Sequence, residues 1–227
     1  MRALFILIIA LLTTVFFAVG IIYVIARLLG QIAWNPESKA FQRMLGALRA
    51  RLMPVSVGLV PWDHEMLGLL SLNRANEKRP GWFNPFSSGQ ITTIYQEPVV
   101  AYAAQQAGHA SVTVARISSR EFVFRKKGRE TEVWLNGVPF GLLAGNAFLA
   151  TGKGSKVLGH LENKEGESQT MLVLANGKSL ALNNFERASG PIPRAVTLMQ
   201  QLDPESETIA LAVTLARMFD SQIRRNH

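Results

Sequence analysis

The sequence predicts a mainly β protein: an antiparallel, hairpin-rich barrel with a buried C-terminal helix, preceded by an N-terminal transmembrane helix and an amphipathic helix. Three observations predict it. Residues 3–26 form a run of 24 without a charge. Residues 55–185 break into about a dozen short β-branched or apolar segments separated by turn residues. Thr208–Phe219, TIALAVTLARMF, is apolar on nearly every side, so it wants to be surrounded.

The uncharged run ALFILIIALLTTVFFAVGIIYVIA is long enough to span, since a helix needs roughly 20 apolar residues to cross the hydrocarbon. A cleaved signal peptide is the rival, with Arg2 as its charged start. The apolar core of a signal is about 7–15 residues, however, and this run continues past Gly20. Residues 1–33 therefore read as an uncleaved anchor. Only Arg2 precedes the span, whereas Arg27, Lys39, Arg43, Arg49 and Arg51 follow it. By the positive-inside rule the chain is a single-pass protein of the cell's inner membrane with its C-terminal domain in the cytoplasm.

The net charge of +8 is carried by residues 1–130, because nine basic residues balance nine acidic ones in 131–227. The chain has no cysteine, which excludes disulfides and thiolate metal sites.

Residues 34–54 predict a second helix, with Asn35 as N-cap, Pro36 at the first helical position and Glu37 in the first turn; Pro54 ends it. Phe41, Met44, Leu45, Leu48 and Leu52 share one face, while Lys39, Arg43 and Arg49 turn away. Such a helix can lie on anionic headgroups through its basic residues, or pack its stripe on its own domain or a sister chain. Both readings stand.

Residues 55–227 make the folded domain. Its candidate strands are VSVGLV, MLGLLSL, ITTIYQ, VVAYAA, SVTVARI, EFVFRK, TEVWL, PFGLLAG, AFLATG, KVLGHLE, TMLVLA and KSLALNNF, which imply a barrel or sandwich. Asn136-Gly137 and Asn176-Gly177 suit type I′ hairpin turns; Lys126-Lys127-Gly128 and Glu165-Gly166 are weaker turn signals. Asp203-Pro204-Glu205 starts a helix over 204–222. With twelve residues and Arg217 among them, TIALAVTLARMF is shorter than a span and reads as a core helix, with Ala210, Thr214, Arg217 and Ser221 as a narrow small or polar seam.

A multistranded antiparallel domain closed by one very apolar C-terminal helix resembles the tubby C-terminal-like superfamily, which includes phospholipid scramblases and LURP-one-related proteins. The residues that carry the resemblance are VWLNGVPFGLLAG, TMLVLANGKSLAL and ESETIALAVTLARMFD, within 55–227. It implies a helix threaded through a barrel and a capacity to bind phosphoinositides. The N-terminal anchor departs from scramblases, whose hydrophobic segment is C-terminal, and no dense acidic loop suggests a calcium site.

The densest basic stretch is ARISSREFVFRKKGR, with Arg116, Arg120, Arg125, Lys126, Lys127 and Arg129 within fourteen residues. Facing a membrane, it would bind anionic headgroups at about 1 kcal/mol per basic residue; otherwise it is a solvated hairpin. The loop KRPGWFNPFSSG brings Trp82, Phe83 and Phe86 beside basic residues, which suits a membrane interface, a partner surface or a cap on a barrel end. Asp63-His64-Glu65 and His160-Leu161-Glu162 lack a second histidine at metal-binding spacing, and TGKGSK lacks the spacing of a phosphate loop. No GxSxG or His-centred nucleophile arrangement is visible. The basic stretch lacks interleaved exposed aromatics, which speaks against nucleic acid.

Two functions follow as expectations. One is a non-enzymatic, single-pass membrane-anchored β domain, without cofactor or metal, acting as a protein-interaction or membrane-complex scaffold with a protein partner or a second copy of itself. The alternative is tubby- or scramblase-like binding or translocation of anionic phospholipid.

Overall fold

The structure is a computed structural model that describes residues 35–78, 86–107, 110–152, 156–163, 169–183 and 191–225, with side chains to Asp220, and isolated helical positions at 13, 16, 17 and 20. Apart from those four positions the predicted membrane span lies outside the described residues, as do Trp82, Phe83 and Glu165-Gly166. Among the described residues no helix is long and apolar enough to cross a membrane. The chain divides into two compact units, Met1–Ala47 and Leu48–His227.

Helix α1 (Lys39–Ser56) begins later than its sequence suggests. Ser38, not Asn35, caps it: its Oγ accepts from the Phe41 N–H at 3.1 Å. Asn35 instead builds the preceding turn, accepting from Glu37 N–H on its side chain and from Ser38 N–H on its carbonyl. Pro54 does not end the helix but lies inside its last turn. The proline removes one intrahelical bond, and the turn is held by other means: Ser56 Oγ donates to Met53 C=O and Gln90 Nε2 to Val55 C=O.

A twelve-stranded antiparallel meander follows, each strand pairing with the next in chain order. The first strands are β1 (Leu70–Lys78), β2 (Phe86–Thr93), β3 (Pro98–Ala107), β4 (Ala110–Arg116), β5 (Glu121–Lys127) and β6 (Glu130–Leu135). The rest are β7 (Val138–Ala144), β8 (Ala147–Ala150), β9 (Val157–Asn163), β10 (Gln169–Leu174), β11 (Ser179–Asn183) and β12 (Val196–Leu198). Beside β12, Ala195 N–H donates to Leu70 C=O at 2.7 Å and Leu72 N–H to Pro193 C=O at 2.8 Å, so the sheet curls into a nearly closed barrel.

Three predicted strands are corrected. VSVGLV is the end of α1 and an irregular crossing; MLGLLSL opens as a one-turn helix, α2 (Met66–Leu69), before β1; and ITTIYQ is the end of β2 plus its turn. At Asn136-Gly137 both residues have positive φ, 51° and 82°, as a type I′ turn requires. Asn176 is not among the described residues with positive φ, and only Gly177 is, at 82°. That hairpin is a three-residue loop, with Gly177 N–H bonded to Leu174 C=O and Leu174 N–H to Lys178 C=O.

Helix α3 (Pro204–Arg225) fills the barrel. Every residue from Ser206 to Ala216 is buried, and Leu211 and Leu215 have no exposed surface. The strands meet it with alternate side chains: Tyr102, Phe122, Phe124, Val133, Leu161, Leu172 and Leu180 belong to one interior cluster with Leu211, Leu215 and Phe219. Phe148 enters the same cluster only because Gly141 has no side chain; a Cβ there would stand 2.4 Å from its ring.

A second apolar layer lies on the outer face of β3–β5. Ala101, Ala103, Val112, Val114 and Val123 are buried yet are not part of the interior cluster, as are Leu48 and Leu52 of α1. From Leu48 onward α1 lies over this face, since Arg49 reaches Glu121 of β5 and Val55 reaches Gln90 of β2. In this half of the helix the apolar stripe packs on its own domain.

Candidate functional site

Because consecutive strands alternate in direction, successive hairpins fall at opposite ends of the barrel. One end is tied shut around the start of α3. Asp203 caps the helix, its Oδ2 accepting from Ser206 N–H at 3.1 Å. Lys178 and Asn176, from the β10–β11 loop, both bond Asp203 Oδ1, and Asn176 also reaches Ser206 Oγ. The Lys178 ammonium and the Ser206 donors hold the Asp203 carboxyl well below the usual carboxylate range. Trp62 lies across the same end: its Nε1–H donates to Glu207 Oε1 at 2.7 Å and its backbone N–H to Ser118 Oγ at 2.8 Å.

Among the described residues the opposite end is open. Beside the last turns of α3 lies a cavity of about 550 Å³. It is lined by apolar side chains, among them Leu143, Leu182 and Met218, and by polar ones, Thr131, Thr170 and Asn163 from the strands and Thr214 from the helix. Lys126, Arg129, Arg217 and Asp220 also line this bay, three cations and one carboxylate. Lys126 Nζ is ion-paired with Asp220 Oδ1.

Around Tyr102 the interior is also polar. Tyr102 Oη donates to Glu77 Oε1 at 3.2 Å, and Arg74 Nη2 donates to Met218 C=O at 2.8 Å. Burial pushes the Tyr102 phenol up to about 12, with Arg74 opposing the shift and Glu77 adding to it.

The basic stretch that sequence proximity brings together is divided by the fold. Arg116 and Arg120 lie toward the tied end: Arg116 shares the Glu121 carboxylate with Arg49, at 2.9 and 2.7 Å, and Arg120 donates to Thr208 Oγ1. Arg125 faces outward, pairs with Glu132 and lies over the Trp134 ring, whereas its neighbour Lys126 faces inward. Lys127 and Arg129 are exposed at the open end. Of the aromatic loop, Phe86 lies under the Arg51 guanidinium, 4.0 Å from its carbon to the ring centre. Lys39 and Arg43 are exposed on α1.

His160 and Glu162 bond each other at 2.9 Å on the outside of β9, and Asp63 turns the chain into α2 by accepting from Glu65 N–H. Among the described residues no group of three or more His, Asp or Glu side chains could hold a metal ion.

Sequence reasoning singled out Lys126 and Arg129 of the bay but missed Asp220, Thr131, Asn163 and Thr170. A signal for the bay was present: Thr214 and Arg217, two members of the polar seam on the helix, both line it. Comparison of the chain with protein-family models, curated proteins and solved structures finds no match.

Proposed function

We propose that the chain is a membrane-anchored, non-enzymatic binding domain whose ligand is an anionic phospholipid headgroup, taken up by the bay at the open end of the barrel. The observation that supports this reading is the lining: Lys126, Arg129 and Arg217 border a cavity large enough for a headgroup, together with hydroxyl and amide side chains. Guanidinium groups suit phosphate oxygens, and a small set of aimed polar groups over an apolar floor is the usual anatomy of a ligand pocket. The outer surface of the hairpin offers less. Lys127 and Arg129 are its exposed cations, worth about 1 kcal/mol each at a charged membrane.

Other parts of the reading have their own support. The anchor and the cytoplasmic side rest on the uncharged run of 24 residues and on the cations that follow it. The tubby-like resemblance is supported by the arrangement, twelve antiparallel strands around one apolar C-terminal helix.

The full chain in neutral detergent should bind water-soluble short-chain phosphatidic acid and not short-chain phosphatidylcholine, measured by calorimetric titration. Arg217→Gln should weaken that binding more than about tenfold, since a charge-assisted hydrogen bond is worth roughly 1.5–3 kcal/mol. Equal binding of the two lipids would reject the reading. Protease protection in right-side-out vesicles tests the topology separately, and cleavage of the domain in intact vesicles would place it on the other side.

A further inference from the structure

The bay contains its own anion. Asp220 is the single carboxylate among the described residues that line it, and it is ion-paired with Lys126, one of the three cations that line it too. Lys126 occupies an inward position near the end of β5, with 17% of its side chain exposed; Asp220, on α3, has 25% exposed. Both groups are thus partly stripped of water, yet both border open space.

We propose that Asp220 is a resident competitor: its carboxylate occupies the place beside Lys126 Nζ that the phosphate of a bound ligand takes, so that ligand binding and the Lys126–Asp220 ion pair exclude each other. The inference rests on the reading of the bay as an anion site and adds to it a means of control. Its physical basis is an exchange. A partly buried ion pair has a small net worth because desolvation of both partners offsets their attraction. A phosphate can therefore take over the lysine at little cost, provided that the displaced carboxylate is rehydrated. Asp220 can meet water once displaced, because a quarter of its side chain is already exposed although the Oδ1 that faces Lys126 is buried. The exchange also sets selectivity. A ligand with one weakly held charge gains nothing over the carboxylate already present, whereas a phosphate that also engages Arg129 and Arg217 does.

A purely structural role for the pair and this competitive role predict different results for its two partners. Lys126→Gln and Asp220→Asn both abolish the ion pair. If the pair only braces β5 against α3, the two variants should shift ligand binding in the same direction. If Asp220 competes, they should shift it in opposite directions. Asp220→Asn should bind more tightly, by about tenfold if the pair is closed roughly nine-tenths of the time, and Lys126→Gln should bind more weakly.

The measurement is calorimetric titration of the full chain in neutral detergent with short-chain phosphatidic acid and, separately, with glycerol 3-phosphate. A response to both probes assigns the site to the phosphate group itself; a response to the first alone assigns it to a lipid. Thermal melts of both variants confirm that each is folded. Opposite shifts, or binding that becomes measurable only in Asp220→Asn, support the competitor. Wild-type binding that Asp220→Asn leaves unchanged or weakens overturns it while leaving the anion site standing. No binding by wild type or by Asp220→Asn overturns both.

Discussion

Hairpins join the strands at both ends of the barrel, yet α3 is fastened at one end and bordered by a cavity at the other. At the tied end its first turn is held by Asp203, Asn176, Lys178, Trp62 and Arg120, each with a hydrogen-bonding partner in another element or in the cap. At the open end the inward positions of β6, β9 and β10 change from leucine and valine to Thr131, Asn163 and Thr170, and the helix presents Thr214 and Arg217 to them. Inward polar side chains are not needed to hold a barrel around a helix; apolar ones would pack better and cost no desolvation. The open end gives up packing, and a site for a polar ligand is the compensation that its chemistry suggests.

The largest expected effect breaks the comparison in the middle of the helix. Leu215→Ala should destabilise the domain by about 2–5 kcal/mol, because a fully buried leucine leaves a cavity that the surrounding strands cannot fill. Thr214→Ala, one residue earlier but lining the bay, should cost less than about 1 kcal/mol: among the described residues its hydroxyl bonds the Ala210 carbonyl of its own helix. Urea unfolding of the two variants tests both figures, and comparable losses would mean that the bay is packed like the rest of the interior.

Next in size is Trp62→Phe at the tied end. The change keeps an aromatic side chain, smaller than the indole, and deletes the donor to Glu207, a residue only 6% exposed. An unsatisfied buried acceptor costs about 1–3 kcal/mol. Chemical denaturation should show that loss, with anion binding at the far end unaltered.

Asp203 gives a pH signature to the same end. Its folded-state pKa is depressed, first by Lys178 and then by Ser206. The stability it contributes is therefore fully present above its ordinary pKa of 3.8 and is lost as pH falls from there toward the folded value. The difference in stability between wild type and Asp203→Asn should be constant near neutrality and shrink below about pH 4. A difference that stays flat down to pH 2 would show that Lys178 and Ser206 do not hold the carboxylate in solution.

Much of this contrast could be read in the sequence, but only where local chemistry decides the outcome. Asp203-Pro204 announces the helix start because a cap and a first-position proline act on their immediate neighbours. Asn136-Gly137 fixes its turn for the same reason, while Asn176-Gly177 is settled by loop length, which one dipeptide does not determine. VSVGLV looks like a strand by composition, but the residues are spent on the end of α1 and the crossing to Trp62. β12 has three residues, too few for alternation to show. The cluster ARISSREFVFRKKGR misleads because a strand sends neighbours to opposite faces: Arg125 and Lys126 are adjacent in sequence and lie on opposite sides of the barrel wall. Asp220 and Asn163 meet in the bay through register and helix threading, both non-local, and no spacing rule reaches them.

The smallest effect on stability is expected where the effect on binding is distinct. Arg129 sits at the tip of the β5–β6 hairpin, exposed, in a loop whose turn is set by Gly128 at φ 63° rather than by the arginine itself. Arg129→Gln should therefore move stability by no more than about 0.5 kcal/mol, as surface changes away from caps and buried pairs do. It also lines the bay, and its loss should weaken phosphatidic acid binding and flatten the dependence of that binding on salt, since screening acts most on exposed charges. Calorimetric titration at two ionic strengths reads both quantities. An Arg129→Gln protein that is as stable as wild type and binds as tightly at both salt concentrations would restrict the site to the interior cations Lys126 and Arg217.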